Sequence, residues 1–175
     1  MNVTNETGSI DLSRLGLTSG GGRRVEAELQ LAEIKHGGQR YEVRDAPTTA
    51  RLDVSRTASG WAIRLRLDPT VSGPCGRCLE AARMELVIDT REVDEAGSAD
   101  EELQSPYVED EILNLDSWAR DALALAMPAK YLCRPDCAGL CPVCGEPLGD
   151  ADSDAHSRQP SPDPRWERLG DVKFG

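Results

Sequence analysis

The chain has 175 residues and a formal net charge of −11, and only 4% of its residues are aromatic. This length allows one domain with its own core, which must be built mainly from Leu, Val, Ile and Ala. A chain this acidic is excluded as a general nucleic-acid coat, because attraction to phosphate needs clustered cations. No run approaches the about 18 apolar residues of a membrane span, and the N-terminus lacks a signal-peptide pattern. We therefore expect a cytoplasmic protein that does not bind membranes.

The N-terminal half shows the period-two alternation that is typical of antiparallel strands with one buried face. Apolar residues occupy every second position in four runs, at 25–31, 50–54, 61–67 and 84–88. Gly-containing turns separate some of these runs. The pattern predicts a meander of four or five antiparallel strands that is curled or barrel-like.

The second half begins with an acidic segment and continues into one main helix. Residues 94–111 combine many acids with Gly, Ser and Pro, so they are predicted to form a flexible acidic loop. Asp116 or Ser117 has the residue type of a helix N-cap, and Pro128 marks the end of that helix. Trp118, Ala122, Leu125 and Ala126 fall near helical spacing and are expected to form its apolar face.

Six cysteines form three pairs with the spacing of metal ligands. We call them the first pair (Cys75 and Cys78), the middle pair (Cys133 and Cys137) and the last pair (Cys141 and Cys144). Structural Zn²⁺ takes four tetrahedral ligands with sulfur at about 2.3 Å, so two pairs make one closed site. A disulfide framework suits small secreted domains, and a thioredoxin-like redox pair needs a βαβ setting. Zn²⁺ is the predicted cofactor, and an iron–sulfur cluster held by the same thiolates stays open.

The first pair has no other thiol nearby in the sequence, so it needs two ligands from a distant segment. We predict the middle pair as those ligands. The last pair is the alternative, and a local site built from the middle and last pairs is a third arrangement. If the first choice holds, the last pair is two ligands short of a second site. His156 is a candidate third ligand there, although an isolated His in a polar tail is usually solvated.

The predicted fold class is α+β, organised as one zinc-stapled domain over residues 10–147. Its parts are a strand half, an acidic linker, and a helix with the cysteine segment, at 10–93, 94–111 and 112–147. Residues 148–175 form a polar, Pro-rich C-terminal tail. In this arrangement the metal joins the strand half to the segment after the helix.

The sequence carries no catalytic constellation. Neither His36 nor His156 lies in an HExxH or HxE pattern, and no GxSxG or GxxxxGK[ST] motif occurs. A catalytic zinc usually has an open position and His or Glu among its ligands. We therefore expect a protein that binds and assembles, without enzymatic activity and without a small-molecule substrate.

The order of these features resembles a known family. The motifs are C-G-R-C-L-E, A-L-A-M-P-A-K-Y, C-R-P-D-C-A-G-L-C-P-V-C-G and, near the end, D-P-R-W-E-R-L. They resemble the YceD family, the large ribosomal RNA subunit accumulation proteins of bacteria and plastids, over roughly residues 10–170. The resemblance implies a role in making or stabilising large-subunit (23S) ribosomal RNA, and it implies that the first and middle pairs form one metal set. Many relatives carry a further C-x-C after the last pair, where this chain has D-S-D-A-H-S, which puts a second metal site in doubt.

The partners that the resemblance implies are large-subunit ribosomal RNA or its precursor particle, with associated proteins. Residues 14–66 hold ten Lys and Arg against six acids, whereas residues 89–116 hold eleven acids and one Arg. The candidate RNA contacts are Arg23, Arg24, Arg40 and Arg44, and the acidic stretch is a candidate surface for a basic protein. Two other functions stay open: a zinc-ribbon adaptor in transcription or signalling, and a thiol-based redox protein.

Overall fold

Antiparallel strand pairing dominates the architecture, as the period-two patterns predict. The computed structural model describes residues 8–31, 33–44, 46–95, 97–142 and 144–148. Of the predicted tail at 148–175, all residues after Leu148, including His156, lie outside the described residues, so the division into domain and tail stays a prediction. The strands are β1 (Ser9–Asp11), β2 (Gly22–Leu29), β3 (Glu33–His36), β4 (Gln39–Val43), β5 (Thr48–Arg56), β6 (Gly60–Leu67), β7 (Thr70–Pro74), β8 (Ala81–Glu85), β9 (Ile88–Glu95), β10 (Val108–Glu109) and β11 (Ile112–Asn114). One α-helix, α1, spans Leu115–Ala126, and 3-10 turns span Ser13–Leu15 and Glu101–Leu103.

The described strands are divided among three sheets. The long-strand sheet has the order β2-β5-β6-β9, the hairpin sheet has the order β3-β4-β7-β8, and a small sheet has the order β1-β11-β10. The α+β class and the meander are therefore confirmed, but the barrel-like closure is wrong. The chain alternates between the two larger sheets, and each of them buries one face in a shared core instead of closing on itself.

Alternating residues of the strands build that core. In the long-strand sheet, Val25 on β2 faces Leu52 on β5, which in turn faces Leu65 on β6. Leu52 and Leu65 are fully buried. The hairpin sheet adds Ile34 and Val71 to the same cluster. Burial of apolar area is the strongest driving force for folding, so this core holds the two larger sheets together.

Helix α1 lies against β1, β3 and β9 and closes the core. Its buried stripe consists of Leu115, Trp118, Ala119, Ala122 and Leu123. The predicted face is therefore wrong at Leu125, which is 87% exposed. Leu125 is two residues after Leu123, so its side chain points away from the buried stripe, which repeats every three or four residues. Among the described residues, no helix is long and apolar enough to cross a membrane.

The helix begins two or three residues earlier than the sequence pattern suggests. Asn114 is the N-cap, and its side-chain oxygen accepts a hydrogen bond from the Ser117 N–H at 3.1 Å. The predicted caps, Asp116 and Ser117, lie inside the first turn. The helix ends at Ala126 and Met127 caps it, directly before Pro128, as predicted.

The acidic segment is more regular than a flexible loop. It contains the end of β9, the 3-10 turn Glu101–Leu103 and β10. Asp100 caps this turn by accepting a hydrogen bond from the Glu102 N–H at 3.0 Å. The buried Ser105 donates its hydroxyl to Glu92 at 3.0 Å. Some of the acids therefore order the segment, which is a role that composition alone does not predict.

Candidate metal centre

The first pair lies in the tight connection between β7 and β8. The Cys75 N–H donates to the Glu80 carbonyl at 2.8 Å, and the Leu79 N–H donates to the Cys75 carbonyl at 3.0 Å. The Arg77 N–H donates to the Cys75 sulfur at 3.4 Å. These bonds curl the backbone around the sulfurs, so both thiols of the pair are held ready to bind a metal ion.

This turn also contains a backbone conformation that the sequence does not suggest. Leu79 takes a φ of +64°, in the left-handed region that favours Gly. Gly76, the residue of the motif with the greatest backbone freedom, is not among the described residues with positive φ. Leu79 is also 60% exposed, so neither its backbone nor its side chain is explained by core packing.

The middle pair reaches this turn through the chain that follows α1. The Gly76 N–H donates to the Tyr131 carbonyl at 2.7 Å. The Tyr131 hydroxyl donates to the Val71 carbonyl at 2.6 Å and lies 3.3 Å from the Ala82 carbonyl. The Tyr131 ring is buried against Tyr41, with 4.7 Å between the ring centroids. These contacts fix the segment before the middle pair on the hairpin sheet.

The structure brings the sulfurs of the first and middle pairs together. All four ligand atoms lie within 4.8 Å of one another. The Cys75 and Cys137 sulfurs are 3.8 Å apart, and the Cys78 and Cys133 sulfurs are 3.6 Å apart. A sulfur tetrahedron around a metal at about 2.3 Å has edges of about 3.8 Å, whereas a disulfide bond measures about 2.05 Å. The four residues could therefore hold one metal ion.

The electrostatics of the cluster favour a bound cation. Burial opposes ionisation of Cys75, but backbone N–H groups of Cys78, Arg77 and Cys133 lower its pKa to about 6. Burial and the neighbouring sulfurs raise the pKa of Cys133 to about 12. Four thiolates cannot all be charged side by side without a counter-charge, and a divalent cation supplies one.

The last pair lies in a turn that repeats the hydrogen bonds of the first. The Cys141 N–H donates to the Glu146 carbonyl at 2.8 Å, and the Gly145 N–H donates to the Cys141 carbonyl at 2.9 Å. Cys141 is buried and Cys144 is exposed. Within the described part of the chain, the only group of metal-type side chains close enough to share an ion is that of the first and middle pairs. His156, the candidate third ligand of a second site, lies outside the described residues, so that site stays a prediction.

The four predicted RNA contacts do not lie on one face. Arg23 and Arg24 are neighbours on β2, so their side chains point to opposite faces of the long-strand sheet. Arg40 lies on β4 in the hairpin sheet, and Arg44 follows directly after that strand. No single surface collects all four.

Three of these arginines also lie close to carboxylates. Arg24 Nε lies 2.7 Å from an oxygen of Asp53, and this hydrogen bond lowers the pKa of the Asp53 carboxyl. Arg40 has Glu33 at 3.7 Å, and Arg44 has Glu42 at 3.9 Å. These acids reduce the positive charge that the three arginines offer to phosphate.

The comparisons with known proteins agree with the cysteine pattern. The family model described as Large ribosomal RNA subunit accumulation protein YceD matches residues 63–173. Uncharacterized proteins of Mycobacterium tuberculosis and Mycobacterium bovis are each 32% identical over 172 residues, which covers 92% of this chain and 79% of theirs. An uncharacterized protein of Mycobacterium leprae is 27% identical over 149 residues, covering 72% of this chain and 67% of its own. No solved structure matches significantly. Since the family match spans more than half of the chain and all six cysteines, the chain belongs to the YceD family.

Proposed function

We propose that this chain is a ribosome biogenesis factor required for the accumulation or processing of large-subunit (23S) ribosomal RNA. The observation that carries the proposal is the match of residues 63–173 to a family described by large ribosomal RNA subunit accumulation. In this proposal the protein acts in the cytoplasm as a binding module, and its partners are the RNA or precursor particle and associated proteins.

The bound metal in this proposal is Zn²⁺, held by the first and middle pairs. The spacing of the sulfurs fits a tetrahedral shell, and zinc has no redox chemistry that would alter the cluster. Binding of structural zinc contributes about 10–16 kcal/mol in small domains, which matches or exceeds the about 5–15 kcal/mol by which domains are stable. The ion would therefore hold the turn between β7 and β8 against the segment that follows α1.

The proposed role involves no catalysis by the metal. A shell of four cysteines leaves no open position for a water or substrate, in contrast to catalytic zinc sites. Cys75 and Cys137 are also almost completely buried, at 0% and 3% exposure. A closed shell in which three of the four thiols are buried favours a structural ion over both an enzyme and a thiol-based redox protein.

Ribosomal RNA measurements in cells test this function. Deleting the gene is expected to lower the amount of large-subunit ribosomal RNA relative to small-subunit ribosomal RNA. Wild-type protein is expected to restore the ratio and to sediment with large-subunit precursors, whereas Cys75→Ser is expected to restore it poorly. An unchanged ratio in the deletion strain, with no co-sedimentation, would contradict the ribosomal role and favour an adaptor elsewhere.

A further inference from the structure

Strand β2 lies at one end of the long-strand sheet and leaves one of its two sides unpaired. It is the first strand in the order β2-β5-β6-β9 and spans eight residues, Gly22–Leu29. Among the described residues, the only backbone hydrogen bonds of this strand are those with β5. We call the unpaired side of this strand the β2 edge.

The pairing with β5 decides which backbone groups lie at the β2 edge. The Arg56 N–H donates to the Gly21 carbonyl at 2.9 Å, directly before β2 begins. Hydrogen-bonded pairs recur at every second residue of an antiparallel ladder, so the odd-numbered residues of β2 bond to β5. On the other side of β5, the Thr57 N–H donates to the Gly60 carbonyl at 2.9 Å, which leads to the same assignment. The residues whose N–H and C=O groups point to the β2 edge are therefore Gly22, Arg24, Glu26 and Glu28.

The β2 edge is neither covered nor interrupted. Among the described elements, only β5 makes extensive contact with β2, whereas β9 at the other end of the sheet also packs against α1 and the 3-10 turn Glu101–Leu103. The strand contains no Pro, and its register with β5 runs without a bulge from Gly22 to Leu29. Covering elements, Pro, bulges and charged side chains are means by which proteins prevent pairing at an open edge. Of these, β2 uses only charge, so its charges decide which strand can pair with it.

The charged side chains of the β2 edge complement those of a second copy of the same strand. Arg24, Glu26 and Glu28 are all exposed and lie on the outer face of the sheet. In a symmetric antiparallel pair, each contact occurs twice, with the roles of the two copies exchanged. If Val25 lies on the two-fold axis, Arg24 of each copy is opposite Glu26 of the other. This register also aligns the backbone groups of Gly22 with those of Glu28 in the other copy.

The neighbouring registers all place like charges directly opposite each other, which destabilises a sheet. With the axis at Arg24, the two copies of Arg24 would face each other. With the axis at Glu26, the two copies of Glu26 would do so, and with the axis at Ala27, Glu26 would face Glu28. The charges of the β2 edge therefore select the register centred on Val25 for pairing between two copies.

We propose that two copies of this chain pair antiparallel along the β2 edge, with Val25 on the two-fold axis. The pairing joins two four-stranded sheets into one continuous sheet and gives partners to the backbone groups from Gly22 to Glu28. Two of the side chains at the edge are already held in place: Arg24 by Asp53 at 2.7 Å, and Glu28 by the Thr49 hydroxyl at 3.0 Å. The inference goes beyond the proposed function and does not depend on it.

Analytical ultracentrifugation of the full-length, metal-loaded protein over a range of concentrations tests the dimer. The single variants Arg24→Glu and Glu26→Arg each place like charges opposite each other at two symmetric positions. Each should therefore raise the dissociation constant of the dimer on the order of 30-fold. In an equimolar mixture of the two variants, both positions join unlike charges again, so heterodimers should form with nearly wild-type affinity.

The matched controls make the same charge changes at the same spacing on β8, which ends the hairpin sheet. They are Arg83→Glu and Glu85→Arg, both at exposed positions. Each control should dimerise like the wild type, because its substitution lies on a strand of the other sheet. Because an unfolded variant could not be rescued by mixing, recovery of dimers in the mixture also excludes a folding defect.

Each other outcome overturns the pairing. Wild-type protein that is monomeric at every concentration would show that the β2 edge does not join two copies. Dimers that persist in Arg24→Glu and Glu26→Arg would place the interface elsewhere, and equal losses in the β8 controls would mean unspecific electrostatic attraction. A mixture that stays monomeric would show that these charges do not face each other. If the wild type is monomeric and still restores ribosomal RNA in the deletion strain, the dimer fails while the proposed function stands.

Discussion

Tyr131 is the residue that joins the two halves of the metal centre. Its backbone carbonyl accepts a hydrogen bond from Gly76 in the first-pair turn, and its hydroxyl donates to Val71 on β7. Burial raises the pKa of its hydroxyl, so the group remains a donor at neutral pH. Two residues later the chain supplies Cys133. One side chain therefore sets where the middle pair approaches the hairpin sheet.

Replacing Tyr131 by Phe is expected to destabilise the metal-loaded protein by about 1–2 kcal/mol, because a buried carbonyl loses its partner. Denaturant unfolding at neutral pH measures the change. Tyr107→Phe is the matched control, since the Tyr107 hydroxyl contacts Asp121 at 3.1 Å on the exposed surface. That substitution should change stability by no more than about 0.5 kcal/mol. Equal effects of the two substitutions would show that the Tyr131 hydroxyl has no special role.

At the scale of elements, the start of α1 couples the small sheet to the helix. Asn114 ends β11, where it pairs with Ser9 of β1, and it also caps the helix. Leu113 before it and Leu115 after it are both fully buried. The helix therefore leaves the small sheet at a fixed angle, and its buried stripe faces the core.

Asn114→Ala is expected to lower the free energy of unfolding by about 1 kcal/mol, because the Ser117 N–H loses its acceptor. Asn114→Ser keeps a capping oxygen and should retain most of the stability. Thermal and denaturant unfolding of the two variants, measured beside the wild type, give the comparison. If Ala and Ser are equally stable at this position, the cap contributes nothing measurable.

The sequence predicts three of the four long strands, β2, β5 and β6, but it predicts β9 and the short strands poorly. Residues 50–54 and 61–67 alternate cleanly, and both lie within strands, β5 and β6. The run at 84–88 has the pattern of one strand, but it spans the end of β8, the link at Leu86 and Val87 between two sheets, and the start of β9. Strands of two to five residues, such as β3, β10 and β11, hold too few alternations to be detected.

At the scale of the whole molecule, the cysteine spacing favours a site shared by the first and middle pairs, and it leaves two alternatives open: a site of the first and last pairs, and a local site of the middle and last pairs. That choice depends on long-range geometry: Tyr131 packs beside Tyr41 and brings the middle pair to the first.

The pairing of cysteines from distant segments explains why loss of a bound metal should first destabilise the segment that follows α1. The first pair lies between β7 and β8, while the middle pair lies beyond α1, so one ion bound by both pairs would crosslink segments 55 to 62 residues apart. Without a bound cation, the negative charge of the clustered thiolates would have no counter-charge. The segment after α1 would then be held only by its hydrogen bonds and by the packing of Tyr131. Metal loss should therefore release this segment before the long-strand sheet unfolds.

The variant Cys75→Ser distinguishes a metal site formed by the first and middle pairs from a site that involves the last pair. Elemental analysis should find that the variant loses the bound ion, and the midpoint of unfolding should fall steeply, because structural zinc contributes on the order of 10 kcal/mol. Cys144→Ser removes a thiol outside the cluster and should leave the ion of the first and middle pairs bound. Metal content that is unchanged in Cys75→Ser but reduced in Cys144→Ser would move the site to the last pair. Wild-type protein that folds cooperatively without any metal would show that the ion is not needed for stability, because the core and Tyr131 would then be sufficient.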